Sequence, residues 1–183
     1  MDALILFPIG NIEKSTVRKI ADEVAKILSP FIKSCEIGQS HEIPSLAHDV
    51  SRNQYNAELL LDLLLPKIGG KDFALFITDA DIFAHGMNFI FGLAQCPGNR
   101  GIVSIARLNP TFYGFPPDSS LLLERAVKEV VHEVGHLFGL GHCKDKRCVM
   151  RFSNTILEVD EKTSSFCKRC AGRLGQLRQP SQP

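Results

Sequence analysis

Residues 119–142 read SSLLLERAVKEVVHEVGHLFGLGH, and this stretch decides both the architecture and the chemistry. Apolar residues recur at helical spacing behind Asp118, a good N-cap, so one long helix is expected over 119–138. Glu124 and Lys128 form an i,i+4 pair expected on its solvent side. At about 100° per residue, His132 and His136 return to nearly the same face one turn apart, with Glu133 beside them. Both imidazoles therefore reach one cation. Gly139 follows His136 by three residues and can turn the chain back in a left-handed conformation, bringing His142 round as a third donor. Three histidines leave a zinc ion its fourth position for water, whose pKa falls toward about 7. Glu133 is placed to accept a proton as that water attacks a carbonyl, and to hand it to the leaving amine. The bland alternative, histidines merely packed in a core helix, is outweighed by the full H-E-x-x-H-x-x-G-x-x-H spacing.

Beyond Gly139 the apolar periodicity fades and cysteines gather. Of six in the chain, Cys143, Cys148, Cys167 and Cys170 lie close behind the histidines as C-x4-C and C-x2-C pairs. That spacing fits a closed, structural zinc site. Two disulfides are the alternative, which a reducing cytosol disfavours. Cys35 and Cys96 have no such partner and read as buried thiols. Two zinc ions per chain are thus expected, one for each donor set.

Toward the N-terminus, residues 3–9 and 73–78 read as buried strands, and 32–37 as a further one. Residues 13–28 carry Val17, Ile20, Val24, Ile27 and Leu28 at helical spacing, and 53–65 read as a second helix stopped by Pro66. Residues 87–94 and 101–108 form two more strands across a Cys96-Pro97-Gly98 turn. Strands and helices alternate first, and then two strands run together. The expected class is therefore α/β (α+β), with a mainly parallel sheet carrying one antiparallel member.

The chain has 183 residues, 44% apolar and 22% charged, with 21 Lys and Arg against 20 Asp and Glu. Such balance offers no basic footprint for nucleic acid and no polybasic membrane anchor. The N-terminus carries an acid at position 2 and a proline at position 8, which reads as a strand and not as a secretory signal. The greasiest run, 59–65, is broken by Asp62 and is too short to span a bilayer. A soluble cytoplasmic monomer is expected. It comprises one domain over 1–175, divided at 139/140 into an upper part and a small lower part, with a polar tail over 176–183.

At these residues the sequence resembles the metzincin zinc peptidases, and within them the archaemetzincins. The long histidine motif carries the resemblance, with Cys143 directly adjoining, then Cys148-Val149-Met150 and Cys167-x-x-Cys170. Asn88-Phe-Ile-Phe-Gly92 and the RLNPTFYG stretch over 107–114 are also similar. The resemblance implies a catalytic zinc on His132, His136 and His142, with Glu133 as general base. It implies a second zinc on the four cysteines, and Met150 as the Met-turn residue beneath the histidines. It implies a mixed five-stranded sheet with two main helices, a cleft above a small zinc-stabilised C-terminal part, and the 88–95 strand as the edge on which an extended peptide lies. No latency segment is expected. An enzyme of this kind in the cytosol calls for narrow specificity.

Other residues receive blander readings. His85 is a loop histidine, and Asp79 and Asp81 serve turns or caps. His41 and His48 have no partner at ligand spacing, and Tyr113 is a minor candidate for cleft contact. The competing functions are a zinc-stabilised peptide-binding module without activity, and hydrolysis of a non-peptide amide. Nucleic-acid binding through the basic residues around the cysteines is the weakest.

Overall fold

In Ala3–Ile9 (β1), Leu4 and Leu6 enter one hydrophobic core while Phe7 and Ile9 enter a second. The same alternation runs through Phe73–Thr78 (β5), where Leu75 and Ile77 face the first core and Ala74 and Phe76 the second. A strand buried on both faces sits in the middle of a sheet covered on both sides. The computed structural model describes residues 2–64, 72–96 and 98–177. Within them the remaining strands are β2 (Ser34–Ile37), β3 (His48–Asp49), β4 (Gln54–Asn56), β6 (Ile82–Phe83), β7 (Gly92–Ala94) and β8 (Arg100–Ser104). The helices are α1 (Lys14–Leu28), α2 (Ala57–Leu63), α3 (Ser119–Leu137), α4 (Ile156–Glu161) and α5 (Lys168–Leu177).

The main sheet has five strands in the order β2-β1-β5-β8-β7, all pairings parallel except β7 with β8. The mixed α/β class is therefore the one expected. Helices α1 and α3 pack together on the first core, through Val17, Ile20 and Val24 of α1 and Val130, Val131 and Val134 of α3. Helix α2 covers the opposite face with Leu60 and Leu61. A second sheet, β3-β4-β6, was not foreshadowed, because its strands have only two or three residues each.

Several expectations need correction. The helix expected over 53–65 starts only at Ala57, because Asn53 takes a positive φ of 52° and Gln54–Asn56 pair as β4. Asn56 then caps α2 by accepting from the Leu59 amide. Leu65, Pro66, Gly69, Gly70 and Pro97, on which the helix stop and one turn were read, lie outside the described residues. The strand expected over 87–94 narrows to Gly92–Ala94, since Ile90 bridges to Ile82 of the small sheet instead. The strand expected over 101–108 ends at Ser104 and gives way to a 3-10 turn over Ala106–Leu108.

Lys128 is buried, not on the solvent side. Its Nζ pairs with Glu124 at 2.7 Å and donates to the Val159 and Asp160 carbonyls, because α4 packs over that face. Cys96 is exposed and Cys35 half-buried, so neither is a fully buried thiol. Helix α5 runs through Leu177, two residues into the stretch read as tail.

Candidate active site

Helix α3 carries His132 and His136 one turn apart, with ring centroids 4.6 Å apart. The His132 Nδ1 lies 2.7 Å from the Val149 carbonyl oxygen, and the His136 Nδ1 lies 2.7 Å from that of Leu140. A carbonyl only accepts, so each Nδ1 carries the proton and each Nε2 is left with a lone pair. Those two Nε2 atoms are 3.1 Å apart. Two lone pairs at that distance repel each other unless a cation lies between them.

The helix ends in a Schellman turn. Leu140 N donates to Gly135 O at 2.9 Å and Gly139 N to His136 O at 2.8 Å. Gly139 supplies the left-handed residue, at φ 90°. The reversal brings the His142 ring to 5.4 Å from His132 and 4.8 Å from His136. The donor atoms of the three histidines lie within 4.8 Å of one another. Burial lowers the pKa of all three, His132 most strongly, which favours the neutral imidazole that ligates. The donor set fits zinc.

Glu133 lies in the same cleft, of about 340 Å³, with Phe89, Ile90 and Phe91 on one wall and Phe152 and Ser153 on another. Burial first, and then the Glu129 carboxylate, push the Glu133 carboxyl well above its usual range, while Lys162 pulls the other way. Strand β7 presses on it: a Cβ added to Gly92 would sit 2.5 Å from Glu133 Oε1. Met150, fully buried, fills the space beside Gly135 between the two helical histidines.

The four sulfurs of Cys143, Cys148, Cys167 and Cys170 also lie within 4.8 Å of one another. Cys143 and Cys167 are 3.8 Å apart, far beyond a disulfide bond of about 2.05 Å. Burial raises the Cys143 thiol, but the Asp145 amide, the Arg169 guanidinium and the neighbouring cysteines outweigh it and bring it to about 7. Burial pushes the Cys148 and Cys170 thiols up instead, and for Cys170 the neighbouring sulfurs add to it, so the first thiolate forms easily and further negative charge in the cluster calls for a cation. The cluster joins the cleft through Cys143 N, which donates to Met150 O at 2.8 Å.

Other residues keep structural roles. Asp81 holds Arg107 through two hydrogen bonds of 2.8 and 2.7 Å. Tyr113 donates to the Arg107 carbonyl and lines a separate groove. His85 is exposed, and its amide donates to Glu58. Three residues the sequence reading passed over belong to the site: Glu129, Phe152 and Ser153. Glu129 was within reach of that reading, since it precedes Glu133 by one helical turn.

The sequence model of peptidase family M54 matches residues 17–176. The chain belongs to this family, the archaemetzincins. The archaemetzincin of Methanocaldococcus jannaschii is 41% identical over 167 residues, 91% of this chain and 89% of that protein. The crystal structure of the Methanopyrus kandleri archaemetzincin superimposes with a TM-score of 0.84 at 40% identity, covering 96% of this chain and 94% of that one. A zinc-dependent peptidase from Methanocorpusculum labreanum gives a TM-score of 0.82 at 30% identity, covering 93% of this chain and 99% of that one. As an archaemetzincin the chain is a zinc metallopeptidase, which favours catalysis over the binding-module reading. Among the described residues no helix is long and apolar enough to cross a membrane.

Proposed function

We propose that His132, His136 and His142 hold the catalytic zinc and that Glu133 is the general base for peptide-bond hydrolysis. The observation that carries this is the 3.1 Å approach of two Nε2 atoms whose Nδ1 protons are spent on carbonyls. When bound, zinc supplies Lewis acidity, polarising the scissile carbonyl and acidifying a water. The Glu133 carboxylate takes the proton of the attacking water and delivers it to the leaving nitrogen. Burial supports that exchange by raising its proton affinity. Strand β7 is the outermost of the main sheet, so its free edge can pair with an extended peptide above Glu133. Met150 supports the histidines from below without ligating.

A second zinc on Cys143, Cys148, Cys167 and Cys170 ties the part after residue 139 to the active-site helix, making two ions per chain. Residues 1–139 then form the upper part and 140–175 the lower part of one domain. Both donor sets and Glu133 come from one chain, which supports a working monomer. Four free thiols at the second site support a reducing cytoplasm, and the near-zero charge balance argues against nucleic acid as partner.

The test is to incubate the zinc-loaded protein with a diverse peptide mixture and read the cleavage sites by mass spectrometry. Cleavage at a restricted set of bonds is expected. No cleavage with both donor sets loaded would contradict the proposal.

A further inference from the structure

Glu129 and Lys162 form a buried ion pair that the hydrolytic chemistry leaves unused. Lys162 Nζ lies 2.9 Å from Glu129 Oε1, with the two side chains 0% and 4% exposed. Glu129 lines the cleft, whereas Lys162 stands behind it and reaches the Arg151 carbonyl at 3.4 Å. Among the described residues no other donor meets the Glu129 carboxylate, although a carboxylate can accept about four hydrogen bonds. The Ser153 hydroxyl, on a residue of the same cleft, is buried with no partner among the described residues. Glu129 precedes Glu133 by four residues, just over one helical turn and about 6 Å along the axis. A side chain of glutamine or methionine length can span about that distance, and Met87, Phe89 and Phe91 line the same cleft.

We propose that Glu129, neutralised by Lys162, is the specificity-determining acceptor of a substrate side-chain pocket that selects neutral side chains ending in hydrogen-bond donors, glutamine above all. Charge decides the class. A cationic end would have to share the Glu129 carboxylate with the fixed Lys162 ammonium behind it, and an anionic end would meet Glu129 and Glu133. A primary amide gives its N–H to Glu129 and offers its oxygen to the idle Ser153 hydroxyl. A purely apolar end would cover the carboxylate and leave its remaining acceptor positions unfilled, which costs binding.

The inference rests on the proposed function, because the pocket is placed relative to Glu133 and the histidines. Its test uses four peptidyl hydroxamates with one backbone, differing only in the side chain next to the hydroxamate: Gln, Met, Lys or Glu. Their dissociation constants are measured by calorimetry on the zinc-loaded protein. The Gln compound should bind about 10-fold or more tighter than the Met compound. In Glu129→Met/Lys162→Met, with zinc content and melting checked, that ratio should fall to about one. Should that variant lose its fold, Glu129→Gln carries the test. There the unpaired Lys162 and the new amide should move the Glu compound up by about 10-fold relative to the Gln compound. Equal binding of all four, tightest binding of the Lys or Met compound, or a Gln preference that survives both variants would overturn the assignment. Failure of every hydroxamate to bind would instead contradict the open metal site of the proposed function, and this inference would fall with it.

Discussion

A Cβ on Gly135 would come within 2.2 Å of Met150 Sδ, so the sulfur occupies the space a side chain between His132 and His136 would need. Gly135→Ala is therefore an overpacking change at the base of the metal site, expected to cost about 1–3 kcal/mol. Thermal melting together with zinc content checks this, and both should fall. Met150→Leu conserves volume and should cost less than about 1.5 kcal/mol. A Gly135→Ala protein as stable and as zinc-rich as the parent would show that this contact positions nothing.

Gly92 touches the other end of the same machinery. Its hypothetical Cβ meets Glu133 Oε1 at 2.5 Å and Cγ at 2.7 Å, on a side chain only 4% exposed. Gly92→Ala should lower kcat by about 10-fold or more by displacing the carboxylate, with zinc retained. Full turnover in that variant would mean that strand β7 does not set the Glu133 position.

The Glu129–Lys162 pair also clasps α4 to α3, alongside the bidentate Arg125–Asp160 pair. Lys162→Ala strands a buried carboxylate and should cost about 3–5 kcal/mol by denaturant melts, while replacing both partners with methionine should be nearly neutral. Equal destabilisation by the single and the double change would contradict that assignment.

Acid should weaken the metal-free protein. The three histidines have native pKa values depressed by burial, so the unfolded chain binds more protons below its own value of about 6.5. Their contribution is fully present above that value and is lost as pH falls toward the depressed native ones. Glu133 acts with the opposite sign. Its raised native pKa contributes stability below the ordinary carboxylate value, lost as pH rises through the raised one. The three histidines act together in this window, so melting temperature should drop from about pH 7 to about pH 5, less steeply than they alone would give because Glu133 opposes them. Zinc should leave in the same window, since protons compete for the imidazoles. A flat melting profile would contradict the burial argument.

Native mass spectrometry should count two zinc ions on the parent chain. Cys148→Ser, at a fully buried thiol, should leave one and loosen the segment after Gly139. Two ions on that variant would move the second site elsewhere.

Local rules made much of this legible. The i,i+4 histidines, the glycine at the helix end and the cysteine spacing each follow from helix geometry and donor chemistry. The central strands showed because they are uniformly apolar. Lys128 and Lys162 were hidden for the converse reason. A lysine in sequence reads as solvated, and only the docking of α4 onto α3 takes both out of water. The short strands of the second sheet were equally invisible, since two residues carry no period. Gly92 and Gly135 matter through distant partners, which sequence spacing does not report.

The most direct measurement compares the parent and Glu133→Ala on the same peptide mixture, with zinc quantified in both. Equal zinc and loss of nearly all cleavage in the variant are expected. Equal zinc with undiminished cleavage would contradict the assignment of Glu133 as the base.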